Sequence, residues 1–289
     1  MRILVWLLAA LIAVAPLRFG VAQVPGARDR TVVASDGTRL HVIEAGPVSA
    51  GPSILFVPGW TMPAWIFAPQ LQAFSRRYHV VAFDPRGQGA SDVPASGYEP
   101  GRRGRDIAEV VATLPPGRIV VVAWSLGVLD TLAYVHAYGD TRLAGLVLVD
   151  NSVGEEPAPT PARPAKPTAP LPHAEKMSRF VRGMFNRPQP PDYLDRLTQA
   201  TLRTPEAAGR QLLAYPVPRS YWKEAVYATD RPVLYAVRPR WAGQAANLAQ
   251  YRANTETEIF RDAGHALFVD EPARFNALVD SFIRRRIWP

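Results

Sequence analysis

The stretch Ile119-Val120-Val121-Val122-Ala123-Trp124-Ser125-Leu126-Gly127 decides the fold. Five apolar residues in a row, without polar alternation, predict a strand covered on both faces. The run then breaks at a serine with small residues two positions to either side, and Val128-Leu129-Asp130-Thr131-Leu132-Ala133-Tyr134-Val135 switches to helical spacing. A serine on so sharp a strand-to-helix turn projects its hydroxyl clear of the sheet, beside helix amides able to meet a developing negative charge. The pattern reads as a nucleophile elbow. Its usual form is Gly-x-Ser-x-Gly, so Ala123 departs from it by one methyl group while Gly127 keeps it. The alternative reading of Ser125 is an ordinary helix N-cap.

Working outward, two alternating runs, Thr31 to Ala34 and Arg39 to Ile43, flank the turn signal Asp36-Gly37 and predict an antiparallel hairpin. Further strands are expected at Ile54 to Val57, Val80 to Phe83, Leu146 to Val149, Val233 to Val237 and Glu258 to Phe260, with helices between them. That alternation predicts an α/β fold with a mostly parallel central sheet. Between Glu155 and Pro172 the composition turns to Pro, Ala and Thr, which suits a stiff connector and no regular element. Helical patterns follow at His173 to Arg187, Asp192 to Leu202, Pro205 to Ala214 and Ser220 to Ala228. The predicted organisation is a core of residues 23–154 and 230–289, interrupted by an insertion at 155–229.

The opening differs from the rest. Met1-Arg2 precedes an apolar run from Ile3 to Leu17, which ends in Gly20-Val21-Ala22. A basic start, a short apolar core and small residues before Gln23 predict a secretory signal peptide over residues 1–22, cleaved after Ala22. The competing expectation is an uncleaved N-terminal anchor; after cleavage no membrane span is expected. The chain of 289 residues contains no cysteine. Export without cysteine fits a periplasmic or secreted protein and excludes a thiol nucleophile or a disulfide framework. The formal charge of +8 falls to +6 when Arg2 and Arg18 leave with the signal. The remaining basic residues are dispersed, so a nucleic-acid partner is not expected. No metal-ligand spacing or dinucleotide fingerprint is present, and neither a metal nor a cofactor is predicted.

Near the C-terminus, Glu258-Ile259-Phe260 leads into Arg261-Asp262-Ala263-Gly264-His265 and then a helix opening at Glu271-Pro272. Together with the elbow, with Ile54-Leu55-Phe56-Val57-Pro58-Gly59-Trp60, and with Asp84-Pro85-Arg86-Gly87-Gln88-Gly89-Ala90-Ser91, this order resembles the alpha/beta-hydrolase fold family, from about Thr31 to the C-terminus. The resemblance implies Ser125 as nucleophile and His265 as base, an oxyanion hole from the backbone amides of Trp60 and Leu126, and a helical lid at the insertion. It assigns no chemistry to Asp84, Arg86 or Asp106, and expects Asp106 to begin a helix. His41, His79, His136 and His173 are the competing histidines, of which His173 stands where it could meet substrate. Trp124 is either core or pocket wall.

In most members of the family an acid follows the strand here read as Val233 to Val237, yet this chain continues Arg238-Pro239-Arg240. A minority arrangement places the acid one strand earlier, where Asp150 ends the run Leu146 to Val149. Asp150 is therefore the expected third member, with Asp262, or no acid at all, as alternatives; Asp262 is expected rather to shape the histidine turn. The implied function is an exported serine hydrolase that cleaves carboxylic esters of small to medium, partly apolar substrates through an acyl-enzyme. Cofactor-free haloperoxidase or perhydrolase activity, a proline-type aminopeptidase, and a non-catalytic binding protein retaining the fold are the alternatives. The aminopeptidase fits less well, because residues 155–229 carry eleven Lys and Arg against seven Asp and Glu.

Overall fold

A computed structural model describes residues 24–48, 53–160 and 171–288. The segment read as a signal peptide and part of the Pro-rich connector lie outside the described residues. The chain opens with the predicted hairpin, β1 (Arg28–Val33) and β2 (Arg39–Ala45), turning at Gly37 with φ +84°. There follow β3 (Ser53–Val57), α1 (Ala68–Phe74), β4 (His79–Phe83), α2 (Pro100–Ala112), β5 (Ile119–Trp124), α3 (Leu126–Tyr138) and β6 (Leu143–Val149). Four helices are then inserted: α4 (His173–Arg182), α5 (Pro191–Leu202), α6 (Glu206–Leu212) and α7 (Arg219–Tyr227). The sheet resumes with β7 (Val233–Val237), α8 (Ala242–Tyr251) and β8 (Thr255–Ile259), before α9 (Leu267–Asp270) and α10 (Pro272–Arg286).

The eight strands form one sheet in the order β1-β2-β4-β3-β5-β6-β7-β8. β2 pairs antiparallel with both β1 and β4, and every pairing from β4 to β8 is parallel. This is the mostly parallel α/β sheet, with an inserted helical lid, that the sequence predicts. The apolar run of β5 has a plain physical origin. Val121 and Ala123 face the layer holding Ile107 of α2 and Leu132 of α3, whereas Val120, Val122 and Trp124 face Leu71 of α1 and Phe282 of α10. A strand buried on both sides has no polar face to alternate with.

Several boundaries differ from expectation. β1 and β6 each begin three residues earlier than predicted, at Arg28 and Leu143. The last strand is β8, three residues earlier at its start than the predicted Glu258; its residues Thr255 to Ile259 are only half-buried at the sheet edge and carry little apolar signal. The first lid helix stops at Arg182, because the chain turns at Gly183 to lay residues 184–187 against the histidine turn. Asp106 does not begin a helix. It sits inside α2, whose first residue is Pro100, and its side chain is buried against Arg86.

Candidate active site

The elbow is drawn by close packing of backbone against backbone. Ser125 takes φ +54° and ψ −122°, a conformation that costs an ordinary residue on the order of 1–3 kcal/mol. The surroundings hold it there: its amide donates to the Val149 carbonyl at 2.9 Å, and its own carbonyl accepts the Asn151 side-chain amide at 2.8 Å. A Cβ at Gly127 would lie 2.4 Å from the Val57 carbonyl oxygen, so only glycine lets α3 approach the end of β3. Ala123 is fully buried in β5, and its extra methyl is absorbed within the core.

The side chains of Ser125, His265 and Asp150 meet in one hydrogen-bonded row. His265 Nε2 lies 2.8 Å from the Ser125 hydroxyl, and His265 Nδ1 lies 2.6 Å from Asp150 Oδ2. Asp150 stands at the end of β6 with φ +48°, and its side chain is wholly enclosed. Burial alone would push its carboxyl up, but the hydrogen bond from His265 and the charges of His265 and Arg238 hold it below the usual carboxylate range. Asp262, the competing acid, is exposed, and it does not shape the histidine turn. That task falls to Asp270, a residue sequence reasoning missed. Its Oδ2 accepts the Gly264 and Asn186 amides, both at 2.7 Å. No periodic pattern marks a side chain that bonds to backbone six residues away, so the sequence carries little signal for it.

Trp124 proves to be core, packed beneath the His265 turn. Its indole N–H donates to the His265 carbonyl at 2.8 Å, and its ring packs against the imidazole with centroids 5.1 Å apart. The other histidines are engaged elsewhere or lie in the lid. His41 bridges Asp84 and Asp29, His79 pairs with the Ser53 hydroxyl, His136 packs on Tyr221, and His173 opens α4.

Leu126 is the first residue of α3, where the amide has no carbonyl partner within the helix. Trp60 lies on the loop after β3, next to Gly59, where a Cβ would come 2.9 Å from that of Ser125. Both backbones therefore flank the serine. The Trp60 ring reaches away into the lid, donating to the Gly209 carbonyl at 2.8 Å and meeting Phe180 edge to face. The neighbouring loop is fixed by Gln88, which accepts the Thr61 amide, and by Asp84, which accepts the amides of Ala64 at 2.5 Å and Ala90 at 2.8 Å. Arg86 makes a two-point pair with Asp106 at 2.5 and 2.7 Å, consistent with a loop-bracing role. On the lid side of Trp60 a cavity of about 230 Å³ is lined by His173, Met177, Thr204, Gly209 and Leu213 among others. Among the described residues no group of three His, Asp or Glu converges as a metal site, and no helix is long and apolar enough to cross a membrane.

The chain is similar to known proteins in sequence and in fold. A family model described as the alpha/beta hydrolase family matches residues 54–278. The chain is 37% identical over 101 residues to 2-(acetamidomethylene)succinate hydrolase of Mesorhizobium japonicum, covering 35% of this chain and 35% of that enzyme. It is 33% identical over 120 residues to a non-heme chloroperoxidase of Streptomyces lividans, covering 41% of this chain and 43% of that enzyme. These alignments span less than half the length of either curated relative. Among solved structures, a Burkholderia cenocepacia protein described as a "putative aryl esterase" superposes with a TM-score of 0.78 at 26% identity, covering 91% of this chain and 100% of that one.

Proposed function

The chain belongs to the alpha/beta hydrolase family, and from that premise we propose that it is an exported serine hydrolase, cleaving carboxylic esters of small to medium, partly apolar substrates through an acyl-enzyme. The observation that carries the reading is the row from the Ser125 hydroxyl to His265 Nε2 at 2.8 Å and from His265 Nδ1 to Asp150 at 2.6 Å. Likeness to an aryl esterase over nearly the whole chain supports the same reaction class.

In this reading Ser125 Oγ attacks the ester carbonyl carbon while its proton passes to His265 Nε2. The carbonyl oxygen becomes an oxyanion, accepted by the backbone amides of Trp60 and Leu126. The C–O bond to the alcohol breaks, and the alcohol leaves with the proton from His265. Water then gives a proton to His265 and attacks the acyl group, releasing the carboxylic acid and restoring Ser125. Asp150 keeps the imidazole in the tautomer with Nδ1 protonated and stabilises the imidazolium formed in each half-reaction.

A fluorophosphonate probe tests the reading. The wild-type protein should be labelled at Ser125 and should turn over p-nitrophenyl esters, whereas Ser125→Ala should do neither with its melting temperature nearly unchanged. Undiminished turnover by Ser125→Ala would overturn it. The export part is checked by intact mass of the secreted protein, which should begin at Gln23; retained Met1 on membrane-associated protein would favour an anchor.

A second reading, cofactor-free haloperoxidase or perhydrolase activity, is favoured by the likeness to the S. lividans chloroperoxidase. It uses the same residues with hydrogen peroxide replacing water in the second step, and the ratio of peracid to acid released from one ester separates the two.

A further inference from the structure

At the end of β7, where the family resemblance leads one to expect an acid, the chain carries Arg238, and this arginine reaches back across the sheet to the relocated acid. We propose that Arg238 is a positioning residue for the hydrolase centre, clamping the Asp150 carboxylate in the orientation that presents Oδ2 to His265. The inference rests on the functional reading above.

The clamp has two points. The Arg238 backbone N–H donates to Asp150 Oδ1 at 2.9 Å, and its Nε–H donates to Oδ2 at 2.6 Å. Both residues are tied to the same strand pair, since Val149 lies opposite Ala236 and the Asp150 amide donates to the Ala236 carbonyl at 3.0 Å. The carboxylate can therefore neither swing about its Cα–Cβ bond nor rotate about Cβ–Cγ without losing an ionic partner. Asp150 needs such a partner: its side chain is fully enclosed, and a buried carboxylate facing only a neutral imidazole is costly. Among the described residues Asp150 is the one carboxylate with which Arg238 pairs, so the guanidinium is committed to it.

The same geometry has an opposing electrostatic effect. Arg238 Nη2 lies 3.4 Å from His265 Nδ1, which already directs its proton to Asp150; two donors facing each other make this a proximity of positive charge, not a hydrogen bond. Arg238 thus disfavours the imidazolium while it orients the acid. Its guanidinium is a quarter exposed, so solvent weakens the repulsion, whereas loss of orientation in a base relay can cost up to about 100-fold. Orientation should win. The remaining charged groups near His265 do not compete: Asp270 on α9 is occupied by backbone amides, including that of Gly264, and Asp262 is exposed.

The test is steady-state kinetics of Arg238→Met, Arg238→Lys, Asp150→Asn and the Arg238→Met/Asp150→Asn pair on one p-nitrophenyl ester, with active sites counted by fluorophosphonate labelling so that misfolded protein does not enter the rate. Arg238→Met should lower kcat per titrated site by roughly 10- to 100-fold with KM little changed. Arg238→Lys should recover part of the rate, and in the Asp150→Asn background Arg238→Met should add almost nothing. Wild-type kcat per site in Arg238→Met overturns the proposal, as does an equal loss with and without Asp150. Arg238→Lys guards against a variant that does not fold. Failure of the wild type to label, or activity persisting in Ser125→Ala, would sink the hydrolase reading and this proposal together, and is told apart by appearing before any Arg238 variant is made.

Discussion

The Asp270 carboxylate accepts the amide proton of Gly264 at 2.7 Å, one residue before His265. The same carboxylate accepts the Asn186 amide at 2.7 Å and the Arg187 amide at 3.3 Å, so one buried acid ties the histidine turn to the strap that follows α4. Asp270→Ala should therefore destabilise the protein by roughly 1–3 kcal/mol, chiefly the cost of leaving the buried Gly264 amide unmatched, and should lower kcat by displacing the imidazole. Urea unfolding followed by circular dichroism measures the first effect; a midpoint equal to that of the wild type would contradict it.

Asp150 and Asp262 make opposite predictions. Asp150→Asn should keep the fold yet lower kcat by roughly three to four orders of magnitude, since the amide holds the wrong tautomer of His265. Asp262→Asn, at an exposed position, should leave kcat within a factor of a few. Kinetics of both on one activated ester decide the matter; a nearly active Asp150→Asn beside a dead Asp262→Asn would reverse the assignment, and two active variants would imply that serine and histidine act without an acid.

The elbow predicts a sharp asymmetry between its two small residues. Gly127→Ala would set a methyl group 2.4 Å from the Val57 carbonyl oxygen and 2.7 Å from that of Pro58, both backbone atoms that cannot step aside. Forcing α3 off β3 should cost at least about 1–3 kcal/mol and displace Ser125. Ala123→Gly should cost only about 0.5–1 kcal/mol and keep most of the activity. Thermal melts and labelling rates of the two variants provide the comparison.

His41 gives the stability a pH dependence of known sign. Burial alone would lower its pKa, but the hydrogen bond and charge of Asp84, then those of Asp29, outweigh burial and raise it above the ordinary histidine value. A group with a raised folded-state pKa contributes stability that is fully present below its unfolded value, about 6.5, and lost as pH rises through the folded value. The melting-temperature advantage of wild type over His41→Gln should accordingly be largest near pH 6 and shrink toward pH 9. An advantage that grew with pH would show that the neutral ring is the favoured form.

The sheet was legible because burial on both faces leaves an unbroken apolar record, as in Ile119 to Ala123, and the elbow because steric crowding admits so few residues around Ser125. The partly exposed edge strand β8 left a weaker record, and its start was misplaced. Ser125 and His265 could be read from local motifs. Asp150 could be reached only through the absence of an acid after Val237, and the arginine standing there was itself the available clue to what holds Asp150. Asp270 and the two-point use of Arg238 depend on distances between segments far apart in the chain, which neither propensity nor spacing records.

The strap at residues 184–187 gives the lid a mechanical consequence. The Met184 carbonyl accepts the Ala266 amide at 3.1 Å, on one side of His265, while Asp270 joins the strap to Gly264 on the other. A Cβ at Gly264 would already press within 2.4 Å of that same carbonyl oxygen. A swing that lifted this end of the lid from the core would take the Met184 carbonyl away from the Ala266 amide and the Asn186 amide away from Asp270, loosening the turn on one side of His265. The strap is thus the natural pivot: an opening that keeps His265 seated would turn about it, moving the far ends of the lid helices while residues 184–187 stay in place.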